Sequence, residues 1–159
     1  MVAVVKPVIH VRGMRPEDLP HVSALEAVAY EFPWSPGIFR DCLNAGYPCW
    51  VLWVDEVFSG YGILSMGAGG AHLLNICVAA EQRGKGLGRH FLMRLLDIAR
   101  WNAAERLFLE VRPSNPLAKQ LYESVGFNEI GRRPRYYPAR DGREEAIVME
   151  LDLVGSPKL

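Results

Sequence analysis

The hydrophobic pattern changes period several times along the chain, and each change marks an element. Val8 to Arg12 is a short strand candidate. Pro16-Glu17-Asp18 opens a helix, with proline and acids in the first turn where the dipole favours them. Leu19, Val22, Leu25, Val28 and Ala29 give that helix an apolar stripe. Ser35-Pro36 starts a second, short helix that ends near Gly46. Trp50 to Ser65 is strand-like, with Asp55-Glu56 as the turn of a hairpin, and Gly67, Gly69 and Gly70 make the next turn. Ala71 to Val78 is mostly apolar and suits a buried central strand. A glycine loop from Gly84 to Gly88 follows, and then Leu87, Phe91, Leu92, Leu95, Leu96 and Ala99 recur at helical spacing. Leu107 to Val111 reads as another buried strand. Ser114-Asn115-Pro116 caps a helix that runs to Val125 and is stopped by Gly126. Phe127 to Gly131 and Ala146 to Leu153 read as two last strands around a polar, arginine-rich insert. The order β, α, α, β, β, β, α, β, α, β, β predicts a mixed α/β (α+β) fold, with a single domain over residues 1–159.

Composition narrows the functional classes. Lys plus Arg and Asp plus Glu number 18 each, so the zero formal charge argues against a general binder of nucleic acid phosphates. Cys42, Cys49 and Cys77 are odd in number and lack CxxC or Cys/His ligand spacing, which suggests neither structural zinc nor a disulfide framework. His10, His21, His72 and His90 show no metal-ligand spacing either. The Val-rich run within Met1 to His10 contains Lys6 and Pro7 and makes a poor signal peptide. No apolar stretch approaches the about 20 residues of a membrane span. A reduced, cytoplasmic protein with no membrane partner is expected.

The informative segment is Ile76-Cys77-Val78-Ala79-Ala80-Glu81-Gln82-Arg83-Gly84-Lys85-Gly86-Leu87-Gly88-Arg89. A buried strand ends, a glycine-rich loop turns, and an amphipathic helix begins. Amides at a helix N-terminus and the helix dipole favour anions. Gly84, Gly86 and Gly88 let the backbone approach a ligand, and Arg83, Lys85 and Arg89 add positive charge. The physical reading is a phosphate or pyrophosphate cradle, set against an ordinary glycine-rich turn. A Walker A loop fails because Leu87 follows Gly86, and a dinucleotide fingerprint fails at Arg89.

The Arg-x-x-Gly-x-Gly run from Arg83 to Gly88 resembles the pyrophosphate loop of the GNAT acyltransferases, which bind acetyl-coenzyme A. Leu109-Glu110-Val111-Arg112-Pro113-Ser114-Asn115-Pro116, continuing through Leu121-Tyr122 to Phe127, is similar to the last core βαβ portion of that superfamily. Phe32-Pro33-Trp34-Ser35 and the stretch from Arg132-Arg133 through Tyr136-Tyr137-Pro138 to Glu144 most resemble its bacterial ribosomal-protein-alanine N-acetyltransferases. The resemblance spans Met14 to Leu151 and implies a GNAT fold. Its mixed central sheet is splayed between the strand before the glycine loop and the next one, with flanking helices. It also implies acetyl transfer to a protein N-terminal amine, the partner being the N-terminal peptide of a ribosomal protein. Alternatives are other N-termini, lysines or small amines, and a silent coenzyme A-binding module.

Leu107, Leu109 and Val111 share one face of their strand and Glu110 takes the other. A carboxylate there is a functional group or a solvated edge; the resemblance makes Glu110 the general base and Tyr122 the acid that meets the coenzyme A thiolate. On its own Tyr122 also reads as a core aromatic on the Leu117/Leu121 side of its helix. Asn115 is a helix cap that the resemblance also places against coenzyme A, and Ile76, Cys77 and Val78 present backbone groups to the pantetheine and acetyl carbonyl. Trp34 and Tyr136, from two aromatic segments, wall an acceptor groove or simply pack as loops. Arg132, Arg133, Arg135, Arg140 and Arg143 form a basic cluster whose default is a solvated surface.

Overall fold

The structure is a computed structural model and describes residues 5–155, so the valine-rich start of the N-terminal run and the last four residues lie outside it. Its strands are β1 Ile9–Gly13, β2 Cys49–Val54, β3 Val57–Met66, β4 Gly70–Val78, β5 Arg106–Val111, β6 Asn128–Ala139 and β7 Gly142–Asp152. The helices are α1 Leu19–Ala29, α2 Pro36–Asn44, α3 Leu87–Trp101 and α4 Pro116–Ser124. In hydrogen-bonded order the sheet runs β1-β2-β3-β4-β5-β7-β6. The chain divides into two compact units, Met1–Ile63 with Asn75–Leu95 and Leu64–Leu74 with Leu96–Leu159.

In the first unit, β1, β2 and β3 form an antiparallel meander. Asp55 and Glu56 both take left-handed φ angles, the backbone of a two-residue hairpin turn whose twist matches the strands. Pro16–Asp18 is a 3-10 turn rather than the first turn of α1. Asp18 is buried there because Arg12 grips its carboxylate with two hydrogen bonds, 2.7 and 2.8 Å, and the Arg15 amide adds a third. The apolar stripe expected on α1 is narrower than its sequence suggests. Val22 is fully buried, Val28 is 83% exposed, and the other buried position is the charged Glu26. Val22, Phe39, Val51, Leu52, Tyr61, Ile63, Phe91, Leu92 and Leu95 make this unit's core.

In the second unit β4 pairs with β5 in parallel over Gly70–His72 and Arg106–Phe108, and the ladder ends there. β5 instead runs antiparallel to β7 along its whole length, from Arg106↔Asp152 to Val111↔Ile147. The early end of this ladder falls between the two strands for which the family resemblance implies a splay. Leu107, Leu109, Ala146, Ile147, Met149 and Phe127 are buried around these strands. The arginine-rich segment is not an insert: β6 runs on to Ala139, and β7 begins at Gly142. β6 sits at the sheet edge, paired only with β7 and exposed along most of its length. An edge strand buries little, so it has no apolar alternation to betray it, and its charges guard against further pairing. Its ladder is irregular between Arg133 and Tyr137, where Arg135 adopts φ 53°.

Gly60 on β3 marks the tightest approach in the first unit. A Cβ built on it lies 2.5 Å from the Cys77 carbonyl oxygen and 3.4 Å from Val78 Cα. At Gly62 the obstacle is instead a side chain, Leu95 Cδ1 at 2.6 Å. Backbone yields less readily than a rotamer. Gly60→Ala is therefore expected to destabilise the fold by about 2–3 kcal/mol and Gly62→Ala by about 1 kcal/mol, read from urea midpoints. Equal costs at the two positions would contradict the close strand approach.

Candidate active site

β4 ends at Val78, and the Ala79 amide closes the strand by donating to the Ser59 carbonyl at 2.7 Å. A 3-10 turn at Ala80–Gln82 leads into the loop, where Gly84 and Gly86 both hold φ 76°. No atom lies within 4 Å of a Cβ built on either, so conformation rather than space demands glycine there. The His90 amide donates to the Gly86 carbonyl at 3.0 Å and so begins the hydrogen-bond ladder of α3. Leu87, buried beneath the loop, fixes the helix start. Arg83, Lys85 and Arg89 are exposed around it. Arg83 Nε donates to the Val78 carbonyl at 3.2 Å, and Lys85 Nζ reaches Gln82 at 3.3 Å. A 15-residue helix whose first turn follows an open, left-handed glycine loop with three cations fits a polyphosphate.

Beside the end of β4, α1 contributes a residue that sequence reasoning missed. Glu26 is 2% exposed, and three donors meet its carboxylate: the Tyr61 hydroxyl, Asn75 Nδ2 at 2.9 Å and the Trp34 amide at 2.9 Å. Its signal in the sequence is a lone acid four positions after Val22, within the buried stripe. Trp34 is thus held by its backbone, while its ring lies 5.2 Å from Phe39, which in turn meets Tyr61 at 5.4 Å. Ile76 is fixed by the Tyr30 hydroxyl, which donates to its carbonyl at 2.9 Å. Cys77 is buried, and desolvation pushes its thiol up.

In the second unit Glu110 faces away from Leu107, Leu109 and Val111, as the strand period predicts, but its side chain is only 7% exposed. It is therefore not a solvated edge residue. His72 Nε2 meets its Oε2, and Arg133 Nε lies 3.5 Å from Oε1. Tyr136 stacks edge-on against Tyr137 at 4.9 Å, with the Arg133 guanidinium 5.6 Å from its ring. Burial, and after it the charge of Glu110, pushes the Tyr136 and Tyr137 hydroxyls upward. Arg112 packs 4.3 Å over the Tyr137 ring and donates to the Pro138 carbonyl and to Glu144. Glu144 in turn receives the Ser114 amide and hydroxyl, each at 2.9 Å, fixing the turn that precedes α4.

Tyr122 is the buried residue of α4, its ring 5.8 Å from Phe127. Leu117 is 76% exposed, so the apolar side of this helix is centred on Tyr122 rather than on Leu117 and Leu121. Burial pushes the Tyr122 hydroxyl up to about 12, which keeps it a donor throughout the neutral range. Asn115 caps α4, its Oδ1 accepting the Ala118 amide at 3.3 Å. Among the described residues no cluster of three His, Cys, Asp or Glu could hold a metal, and no helix is long and apolar enough to cross a membrane.

Residues 16–127 match the acetyltransferase (GNAT) family. The ribosomal protein bS18-alanine N-acetyltransferase of Escherichia coli strain K12 is 37% identical over 143 residues, covering 90% of this chain and 97% of that protein. A putative enzyme of the same description from Bacillus subtilis strain 168 is 34% identical, covering 87% and 92%. The crystal structure of the ribosomal-protein-S18-alanine N-acetyltransferase from Escherichia coli superposes with TM-score 0.86 at 35% identity, covering 95% of this chain and 97% of that one.

Two measurements follow from the buried groups. Glu26→Ala strands three donors without their acceptor and is expected to cost about 3 kcal/mol or more in urea unfolding. Cys49 and Tyr122 have folded pKa values raised to about 12 from 9.0 and 10.0, in both cases by burial. Below about pH 8 the folded and unfolded chains hold these protons alike. As pH rises from 9 toward 12 the unfolded chain releases protons that the folded chain keeps. Stability is therefore expected to fall across that window, with a limiting slope of about 1.4 kcal/mol per pH unit for each group. Tyr122→Phe makes the decline shallower above pH 10; an unchanged slope would mean that the phenol is not held neutral by burial.

Proposed function

Because this chain belongs to the GNAT acetyltransferase family, we propose that it is an N-alpha-acetyltransferase that moves acetyl from acetyl-coenzyme A directly to a protein N-terminus, the N-terminal alanine of ribosomal protein bS18. The near full-length match to bacterial bS18-alanine N-acetyltransferases carries this reading. A family match running from residue 16 to 127 across both compact units supports one GNAT domain rather than two functional ones. Action on a ribosomal protein, by a chain with no membrane-crossing helix among its described residues, points to the cytoplasm. No direct contact with nucleic acid is required.

The residues support a division of roles. The loop Arg83, Gly84, Lys85, Gly86, Leu87, Gly88 and Arg89 holds the pyrophosphate through backbone amides and charge. Ile76, Cys77 and Val78 line the pantetheine and acetyl carbonyl, and Asn115 adds a polar contact while it caps α4. Trp34 of the first unit and Tyr136 of the second are each assigned a contact with the acceptor peptide. The thioester supplies an activated acyl group, so the protein must present a neutral amine and receive a thiolate. An α-amine titrates near about 7.7–8.0, so roughly a tenth is already neutral at pH 7 and the demand on a base is modest. Glu110 draws the amine proton away, through water or a neighbouring side chain because its own carboxylate is buried. Tyr122, with its hydroxyl raised to about 12, stabilises the departing thiolate mainly as a hydrogen-bond donor. Complete transfer from so weak an acid to a thiolate of ordinary basicity, about 8.5, is uphill.

Mass spectrometry of a peptide beginning with alanine, beside a blocked peptide with one internal lysine, tests the acceptor. Acetylation of the alanine peptide alone is expected; acetylation only of the lysine would overturn the α-amine assignment. Glu110→Gln is expected to lower turnover about tenfold to a hundredfold at neutral pH with coenzyme A affinity intact.

A further inference from the structure

Glu110 and His72 stand 38 positions apart in the chain, yet the short parallel ladder of β4 and β5 sets their side chains in contact. The pair is asymmetric. Glu110 keeps 7% side-chain exposure and His72 keeps 32%, so the imidazole is the end of the pair that a solute can reach. Both Glu110 oxygens are also engaged, Oε2 by His72 Nε2 and Oε1 by Arg133. A carboxylate accepts, so His72 must donate through Nε2–H, and in the neutral ring this leaves Nδ1 as the acceptor. Among the described residues the His72 ring bonds to Glu110 alone.

We propose that His72 is a catalytic residue: its Nδ1 takes the proton from the acceptor amine, and Glu110 sets the tautomer and stabilises the resulting imidazolium. This rests on the acetyltransferase reading and deepens it by naming the group through which the buried carboxylate acts. The amine nitrogen forms its bond to the acyl carbon and the carbon–sulphur bond breaks, its electron pair leaving on sulphur. The proton lost by nitrogen moves to Nδ1 and from there to water, while the thiolate is protonated by water, with the Tyr122 hydroxyl donating a hydrogen bond to it. Arg133, Tyr136 and Tyr137 of β6 are the other charged or titratable groups that face the pair. Arg133 places its Nε 3.5 Å from Glu110 Oε1, and burial keeps the two hydroxyls neutral.

The first measurement uses the unaltered chain. Nitrogen NMR of the His72 ring at pH 8 is expected to show Nε2 protonated and Nδ1 bare; the opposite tautomer would overturn the proposal. The second is the pH profile of kcat on the alanine peptide for wild type, His72→Gln and Glu110→Gln. Both variants are expected to lose about tenfold to a hundredfold at pH 7 and to recover toward wild type by pH 9, where the amine deprotonates unaided. KM for acetyl-coenzyme A is expected to stay constant, and the double variant to be no worse than His72→Gln alone. Full activity in His72→Gln beside a deficient Glu110→Gln would leave Glu110 as the base and remove His72 from the reaction. Failure of the acceptor assignment is read separately, from wild type on the lysine peptide.

Discussion

A carboxylate taken out of water must find hydrogen-bond donors, and the Glu26 carboxylate finds three. Its partners come from the loop before α2, from β3 and from β4, so one buried acid ties the helix α1 to three other stretches of chain. The Tyr61 hydroxyl depends on it most, since that residue is fully buried, whereas Asn75 and Trp34 are only half-buried. The end of β4 is thereby fixed just where Ile76, Cys77 and Val78 lead into the glycine loop. Close backbone approach of Gly60, on β3, to Cys77 and Val78 adds to the restraint. Under the proposed function the end of β4 aligns backbone groups with an acyl carbonyl, a task that needs this kind of rigidity more than it needs reactive side chains.

Charge is distributed to the same end. The chain is neutral overall, and much of its arginine content is absorbed internally. Arg132 bridges Glu129 and Glu145, while Arg143 donates to the carbonyls of Arg135 and Tyr136 and so props the irregular stretch of β6. Two arginines of the cluster anticipated at 132–143 therefore brace the edge strand. Arg83 and Lys85, by contrast, spend only part of their hydrogen-bonding capacity on the loop itself. Positive charge stays available at the helix terminus whose shape and charge fit a polyphosphate.

Periodicity made the buried strands, the hairpin at Asp55-Glu56 and the facing of Glu110 legible, because each follows from local rules of alternation or turn geometry. The glycine loop was legible for the same reason. β6 was not, since an edge strand buries little and follows no alternation. Glu26 was hidden because a charged residue in an apolar stripe looks like an interruption until its donors, 8 to 49 positions away, are known. The contact between His72 and Glu110 depends on the register of a parallel pair, which no local pattern encodes. Tyr122 was found by resemblance; its burial then recentred the apolar side of α4, which leucine positions alone had misplaced.

The three cysteines bear on how the reaction can be watched. Each is buried, and burial raises each thiol above its ordinary range, Cys49 to about 12. A thiol-directed dye reacts with exposed thiolate, of which the folded chain offers almost none at neutral pH. Every turnover, in contrast, releases one free coenzyme A thiol into solvent. The enzyme is thus nearly silent in a colorimetric thiol assay of its own product, and the dye counts turnovers against a dark background for as long as the chain stays folded.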